Sequence, residues 1–332
     1  MSLTSDQLNE SIAVAHRKMG EEIASGFAEA NYFYSIMFRK PNLKYSDGGT
    51  SINIPIEAYE SDSMGFFNGK FETVPTNSQQ QITHCNFDWK HFVSNTTFNL
   101  SEFATGTGKL SVIDLIEKKV KLTRNAAVRD LSKALHTLSS TDPNQINSLK
   151  DAAADAAYGG ISPTDVPSWA FVRNTKNNAI TYSGLNETFQ TLVSRGQGTS
   201  DEIGTYSPNL MISNAYVMAT FLNSQQSQQQ FTTEKDLKSG FNGILFNNCN
   251  WMCDSYAGGS SSSATADNEL YILSTNTFRL YYRFGFEGKS SPLDTLNMRL
   301  PNQAAVSSQT YMTMNLCNIA RRYNAVFTAL QS

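Results

Sequence analysis

The sequence is poor in charge and in the residue types that carry out most chemistry. Only 17% of its 332 residues are charged, and it has just four histidines and four cysteines. The cysteines at positions 85, 249, 253 and 317 form no C-x-x-C pair, which predicts free buried thiols in a reducing compartment and no zinc site. The net charge of −3 predicts no general attraction to nucleic acid. No apolar run approaches the roughly 20 residues that span a bilayer, so we expect no membrane association.

Motifs for catalysis are also missing from the sequence. There is no G-x-S-x-G elbow, no H-E-x-x-H pair and no G-x-G-x-x-G fingerprint. His84 and His91 lie in one predicted strand, but their odd separation places them on opposite faces and does not favour a metal pair. We therefore expect a protein that is not an enzyme, with no catalytic residues, no metal site and no cofactor.

A glycine-rich stretch, ATGTGKL, is superficially similar to a phosphate-binding loop. Such a loop needs G-x-x-x-x-G-K-[ST], and Gly108-Lys109 fits the end of this pattern. Phe103 stands where the first glycine is needed, and Leu110 stands where the hydroxyl that binds Mg²⁺ is needed. We interpret Gly106 and Gly108 as a turn before a helix. An enzyme with a cryptic site stays only as the least favoured alternative.

Apolar residues at helical spacing predict two long helices. The first covers residues 5–39 and ends before Pro41, and the second covers roughly 109–138 and ends before Asp142-Pro143. At 1.5 Å per residue the second helix would be about 45 Å long, which is more than a small domain needs. Its predicted inner side contains Ile113, Ile116, Val120, Ala127, Leu131, Leu135 and Leu138.

A strand rhythm with a period of two residues follows the first helix. Ile52, Ile54 and Ile56 alternate with polar residues, and the strand pattern returns at about residue 82 after a long polar segment. Asn68-Gly69 within that segment is a hairpin signal. We predict a long projecting hairpin, which on its own is marginally stable and must rest on another surface.

The second half of the chain alternates helices and strands and then becomes rich in strands. We predict helices at 185–195 and 215–225, and strands at 209–213 and 243–253. Period-two alternation is clearest at 278–286 and returns at Met312, Met314 and Leu316. The fold class is therefore α+β.

Three local motifs, in this order along the chain, resemble the major capsid proteins of tailed bacteriophages with the Hong Kong 97-type fold. Asn42 to Pro55, containing GGTSINIP, resembles the entry to the extended loop of that family. Ser101-Glu102-Phe103, the glycine turn and SVIDLIEKKVKLTRNAAVRDLSKAL resemble its acidic residue and long spine helix. QINSLKDAAADAAYGGISPTDVPSWAF resembles a recurring stretch with Tyr-Gly-Gly-Ile, a turn and a tryptophan.

The resemblance covers nearly the whole chain and implies five parts. Residues 1–45 would be the N-terminal arm, 46–100 the extended loop with its flanking strands, and 101–139 the spine helix of the peripheral domain. Residues 140–275 would form the axial domain, and 276–332 the C-terminal strands of the peripheral domain.

The implied function is that of a structural subunit. The chain would self-assemble into hexamers and pentamers of an icosahedral phage head that encloses double-stranded DNA without sequence-specific binding. The virion would be its location, after assembly in the host cytoplasm. The short N-terminal segment implies a separate scaffolding protein, and a portal and cement proteins are further expected partners.

Two questions stay open at this point. Some members of the family cross-link the extended loop to a neighbour, and Lys70 is the only lysine in the outer part of this loop. It is a candidate for such a cross-link, with an ordinary exposed lysine as the alternative. An encapsulin-like compartment shell shares the fold and is the alternative function.

Overall fold

A computed structural model describes the chain at residues 32–39, 41–46, 49–57, 82–99, 109–175, 180–196, 206–224, 243–257, 268–283, 294–299 and 305–328. Most of the predicted helix at 5–39 lies outside these residues, as do the polar segment with Asn68, Gly69 and Lys70 and the glycine turn before the spine helix.

Helices and strands alternate in the order expected of a mixed fold. The helices are α1 (Tyr32–Met37), α2 (Lys109–Ala134), α3 (Leu149–Ala153), α4 (Tyr182–Gly196) and α5 (Ala215–Ser224). The strands are β1 (Leu43–Tyr45), β2 (Ser51–Glu57), β3 (Ile82–Asp88), β4 (Lys90–Asn99), β5 (Val172–Thr175), β6 (Leu210–Ser213), β7 (Gly243–Phe246), β8 (Cys249–Cys253), β9 (Leu270–Leu273), β10 (Phe278–Arg283), β11 (Asp294–Arg299), β12 (Ala305–Asn318) and β13 (Ala325–Thr328).

A five-stranded sheet is built around the long strand β12. Strand β4 pairs with one edge of β12, while β11 and β10 follow each other along the opposite edge and β1 pairs with β10. The predicted alternation is confirmed where it is described, because Phe278 and Leu280 are buried and their neighbours are less so. Met312, Met314 and Leu316 are also buried.

Helix α2 covers one face of this sheet, where it packs against β4. Ile116, Val120 and Leu131 are buried, as the helical spacing predicts. Val128 is buried as well, whereas the predicted Ala127 is only half-buried. The predicted end at residue 138 is wrong, since the helix ends at Ala134 and Leu138 is 39% exposed beyond it. The chain leaves the helix in a turn in which the backbone N–H of His136 donates to the carbonyl of Lys133.

A six-stranded sheet in the order β5-β13-β9-β6-β8-β7 forms the second layer of the fold. All of its strands are short, and the inner strands β6, β9 and β13 are almost fully buried. Helices α4 and α5 bring apolar side chains against one face of this sheet. Trp251 of β8 is completely buried against Phe221 of α5, with ring centroids 5.0 Å apart. The helices predicted at 185–195 and 215–225 and the strand at 209–213 are thus confirmed.

The single strand predicted at 243–253 is wrong. The structure has a hairpin of β7 and β8, in which Asn247 and Asn248 form the turn with φ angles of 46° and 64°. Asparagine tolerates this left-handed region better than other residues with a side chain, and two such residues in sequence make a tight hairpin turn. The side-chain amide of Asn247 also donates to Asn186 at 2.7 Å.

The two sheets share a continuous two-stranded ribbon. Strand β9 of the six-stranded sheet leads through residues 274–277 into β10 of the five-stranded sheet, and β12 leads through residues 319–324 back into β13. Asn324 joins the two crossings, because its side chain accepts from the backbone N–H of Ser274 at 2.8 Å and donates to Thr277 Oγ1 at 3.0 Å. The C-terminal strands predicted as one group at 276–332 therefore contribute to both sheets.

The four cysteines are free thiols, as predicted. Cys85, Cys249 and Cys317 are buried, while Cys253 is half-buried with its thiol 3.3 Å from the sulfur of Met218. Within the described ranges, no helix has both the length and the apolar character needed to cross a membrane.

Candidate functional site

The described residues contain no group of three or more histidines, cysteines or carboxylates close enough to hold a metal ion. The two histidines considered as a pair lie in different sheets. His84 is on β3 and faces Pro55 across the hairpin, whereas Nδ1 of His91 on β4 is 2.9 Å from Thr313 Oγ1. The base of the β2–β3 hairpin is bonded to several distant parts of the chain.

The β2–β3 hairpin has one apolar face and one polar face. Ile52, Ile54, Ile56, Cys85 and Phe87 point into the protein and are nearly fully buried. The alternate residues are exposed, which explains the strand rhythm of the sequence. Both strands run directly into the segment 58–81, so the hairpin base fixes where that segment starts and ends.

A tight turn at residues 158–161 supports the hairpin. Tyr158 and Ile161 form a β-bridge across Gly159 and Gly160, whose φ angles are +62° and +81°. The backbone N–H of Asn86 donates to the carbonyl of Gly159 at 2.9 Å. A Cβ atom on Gly159 would lie 2.7 Å from the ring of Phe87, so this close approach requires glycine.

The corner between β3 and β4 is fixed by side chains that bond to backbone carbonyls. Trp89 donates from Nε1 to Gly49 at 3.2 Å, and Lys90 donates from Nζ to Pro143 at 2.7 Å. The buried amide of Asn315 on β12 donates to the carbonyl of Asp88 at 2.7 Å. These bonds hold the hairpin to three separate parts of the chain.

Arg321 lies beneath the 158–161 turn and is completely buried. Its Nε donates to the carbonyl of Ala152 at 2.8 Å, and its Nη2 donates to the carbonyl of Ala154. The guanidinium carbon is 5.2 Å from the ring centroid of Tyr158 and 5.9 Å from that of Trp169. Burial lowers the pKa of Arg321 and raises the pKa of Tyr158 well above its ordinary value. The arginine therefore links α3, the turn and the tryptophan through hydrogen bonds and cation–π contacts.

An open cleft of about 220 Å³ lies beside the hairpin base and is lined by polar groups that include Asp88, Lys90 and Asp151. The carboxylate of Asp151 is already engaged, since it accepts hydrogen bonds from Ser139 and from the Ser148 cap of α3. The geometry of this region suits rigid attachment of the hairpin.

Sequence reasoning found only part of this arrangement. The segment around Tyr158 and Trp169 was singled out because it resembles a family motif, and the hairpin was predicted from its alternation. Arg321 and Asn315 were missed, because an arginine or asparagine near a strand carries no local sign that it will be buried. The neighbouring residues give no such sign either, because Arg322 directly follows Arg321 and is exposed.

Comparison with known proteins gives matches in structure and none in sequence. No protein-family model matches the chain, and no curated protein is detectably similar to it. A capsid asymmetric unit of cyanophage A-1(L) is similar, with 12% identity, coverage of 87% of this chain and 90% of the phage chain, and a TM-score of 0.61.

Two further structures have the same architecture. The capsid of an empty GTA particle has 9% identity, coverage of 89% of this chain and 98% of that chain, and a TM-score of 0.58. The holo-SrpI encapsulin complex from Synechococcus elongatus has 10% identity, coverage of 86% and 85%, and a TM-score of 0.54. The chain therefore has the Hong Kong 97-type capsid fold, and the α+β fold predicted from the sequence is confirmed.

Proposed function

We propose that this chain is the major capsid protein of a tailed bacteriophage, a structural subunit that works by assembly. The observation that carries the proposal is the similarity to the cyanophage capsid subunit, which extends over 87% of this chain and 90% of the other. The match extends over most of both chains, so it concerns the whole subunit and not one shared motif. A shell subunit needs no catalytic chemistry, and we propose that the chain is not an enzyme.

The hairpin base supports this proposal. A two-stranded ribbon is marginally stable on its own, so a hairpin that continues into segment 58–81 needs a second surface. The base itself is fixed by the 158–161 turn, Asn315 and Trp89. Ile82, at the point where β3 begins, is 59% exposed and is available to a neighbouring subunit.

In the proposed subunit, each of the two sheets forms the centre of one domain. The arm within 1–45 and the extended loop within 46–100, which includes its flanking strands, reach neighbouring subunits, except that β1 and β4 belong to the five-stranded sheet. Helix α2 within 101–139 and the five-stranded sheet form the peripheral domain. Residues 140–275, joined by β13, form the axial domain, and copies of this domain meet at the centres of hexamers and pentamers.

The assembled product would be an icosahedral head that encloses double-stranded DNA and becomes part of the virion. Assembly in the host cytoplasm would use a separate scaffolding protein and a portal, with cement proteins added to the outside. Lys70 remains the candidate for a covalent cross-link in the extended loop.

An encapsulin-like compartment is the second candidate, and the similarity to the SrpI encapsulin favours it. The two functions differ in what the shell contains. DNA within particles from infected cells supports the phage head, whereas a co-purifying enzyme as the sole content supports the compartment.

Electron microscopy of the purified chain, alone and with a co-expressed scaffold, tests the proposal. We expect closed icosahedral particles, and a strictly monomeric protein under all of these conditions would contradict it. Deletion of residues 62–80 should give a folded monomer, with the same urea midpoint as the full chain, that forms no stable shells. Intact shells from this deletion would overturn the role of the extended loop.

A further inference from the structure

The outward side of helix α2 carries a line of basic side chains. Residues 116–134 contain six lysines or arginines and two acidic residues, although the whole chain has 26 basic and 29 acidic residues. The exposed residues lie opposite the buried side of the helix, at helical spacing. This surface, called the α2 ridge, consists of Lys118, Lys121, Leu122, Asn125, Arg129 and Lys133.

The charge of the ridge is not neutralised within the described part of the chain. The ion pairs found there are His136–Asp254, Lys150–Glu269 and Arg173–Asp155, and none includes a ridge residue. Asp130 is also exposed and lies about 60° around the helix from Lys133, at the border of the ridge. Four cations and this one carboxylate leave the surface with a net positive charge.

The composition of the ridge fits a phosphate backbone better than a protein partner. The buried centres of protein interfaces are rich in apolar and aromatic residues and poor in lysine. Leu122, which is 68% exposed, is the only large apolar residue of the ridge, and three of its four cations are lysines. Lysine is a flexible point charge that binds phosphate without demanding a fixed geometry.

The length of the ridge also fits duplex DNA. From Lys118 to Lys133 it extends about 22 Å along the helix axis, at 1.5 Å per residue. Duplex DNA carries one negative charge about every 1.7 Å of its axis, so each cation can reach a phosphate. Contacts between flexible cations and phosphates carry no sequence information, so binding of this kind would not depend on sequence.

We propose that the α2 ridge binds the phosphate backbone of duplex DNA and forms part of the inner surface of the shell. The inner position rests on the proposed function, whereas the binding chemistry rests on the ridge alone. The overall charge of −3 is compatible with DNA binding at this surface. Charges further from a phosphate than the Debye length of about 8–10 Å are largely screened, so the cations of the ridge decide the local attraction.

Salt-dependent binding of a fluorescein-labelled DNA duplex to the unassembled full chain tests the inference. Four neutralised phosphates predict a slope of about −3.6 for log K against log salt, so each fourfold rise in salt weakens binding roughly 100-fold. The ridge variant replaces Lys118, Lys121, Arg129 and Lys133 with glutamine. We expect this variant to bind DNA at least tenfold more weakly at low salt, with a slope close to zero.

A matched variant controls for net charge. It replaces four exposed arginines outside the ridge with glutamine, namely Arg39, Arg195, Arg283 and Arg322. It should bind DNA nearly as well as the natural chain. Equal losses in both variants would overturn the inference, as would a natural chain that does not bind DNA at low salt. A ridge variant that keeps DNA binding but loses binding to a polyglutamate peptide would assign the ridge to an acidic protein instead.

Shell formation is scored separately by electron microscopy. A ridge variant that forms normal shells but has lost DNA binding supports both proposals. A natural chain that binds DNA through the ridge but never forms shells would overturn the capsid function and leave the ridge inference standing.

Discussion

The guanidinium carbon of Arg321 lies 5.2 Å from the centre of the Tyr158 ring, in a site from which water is excluded. The hydroxyl of the same tyrosine accepts the backbone N–H of Asn318 at 3.0 Å, at the end of β12. The arginine and the tyrosine thus connect the end of the central strand to the turn on which the β2–β3 hairpin rests.

Replacement of Arg321 with alanine should destabilise the subunit by about 2–4 kcal/mol. The change removes the donors to the buried carbonyl of Ala152 and the partly buried carbonyl of Ala154, and it opens a cavity beside Tyr158 and Trp169. Urea unfolding of the unassembled subunit measures the effect. Arg322 is exposed, and its replacement with alanine should change stability by less than about 0.5 kcal/mol. Similar losses in the two variants would show that the buried contacts of Arg321 contribute little.

Alanine variants of Gly159 and Gly160 distinguish the cost of backbone strain from the cost of a steric clash. Both have positive φ, so alanine at either position costs about 1–2 kcal/mol. At Gly159 a Cβ also meets Phe87 at 2.7 Å and Cys85 at 3.0 Å, whereas at Gly160 no atom lies within 4 Å. The free energy of unfolding should therefore be lower for Gly159→Ala than for Gly160→Ala by about 1–3 kcal/mol, the usual cost of overpacking. Equal urea midpoints would contradict the close docking of the hairpin.

The buried pair of His136 and Asp254 joins the turn after α2 to the end of β8. The two side chains are 3.1 Å apart, and each is 2% exposed. Removal of the imidazole takes one hydrogen bond from the buried carboxylate of Asp254, which keeps the backbone N–H of Tyr256, and opens a cavity, so His136→Ala should cost about 2–4 kcal/mol. Asp155→Ala breaks the pair with Arg173, but Asp155 is 79% exposed and the loss should stay below about 1 kcal/mol. A small effect at His136 would show that the pair contributes little.

A negative charge should disrupt folding when it is introduced on the buried side of α2 and should be tolerated on the exposed side. Leu131 is 2% exposed and faces the five-stranded sheet, so Leu131→Asp should give insoluble or unassembled protein. Leu122 is 68% exposed, and Leu122→Asp should leave folding unchanged. Soluble yield and circular dichroism distinguish the two variants. Normal folding of Leu131→Asp would refute the assignment of the buried side.

The thiols should be almost unreactive in the folded subunit. Burial raises the pKa of Cys85 to about 12, and it raises the pKa of Cys249 and Cys317 as well. At pH 8, iodoacetamide should modify Cys253 first and leave the other three until urea is added. Mass spectrometry of the native and unfolded protein reads this order directly.

Because the pKa of Cys85 is raised in the folded state, the free energy of unfolding falls at alkaline pH. An unfolded thiol titrates at about 8.5, below the folded value of about 12 for Cys85, so the folded state holds the proton more tightly. The resulting stability is fully present below about pH 8.5 and is lost as the pH rises towards 12. Cys85→Ala should reduce the fall in the urea midpoint over this range.

Local pattern was enough to predict the elements whose burial repeats regularly. The stripe of α2, the alternation in β2, β10 and β12, and the short helix α5 each follow from a period that one buried face imposes. The end of α2 was misplaced because Leu138 continues the spacing although the backbone has already turned. Periodicity records which side chains are apolar and does not record where the hydrogen bonds stop.

Pairing between distant parts of the chain could not be predicted from pattern. β13 belongs to the six-stranded sheet through β5 and β9, which precede it by many residues. The burial of Arg321 depends on carbonyls of α3 and rings of the 158–169 segment, and Asp254 reaches His136 across more than a third of the chain. These contacts exist only after the layers have packed, so no stretch of sequence carries them by itself.

The ribbon that passes through both sheets has a mechanical consequence. A force that pulls the sheets apart along it acts on two covalent chain segments side by side, at 274–277 and at 319–324. Such a force cannot peel one strand from its neighbour, because the hydrogen bonds on each side of the crossing are stretched together. The subunit is therefore stiff against extension along the ribbon, because both crossings carry the load together.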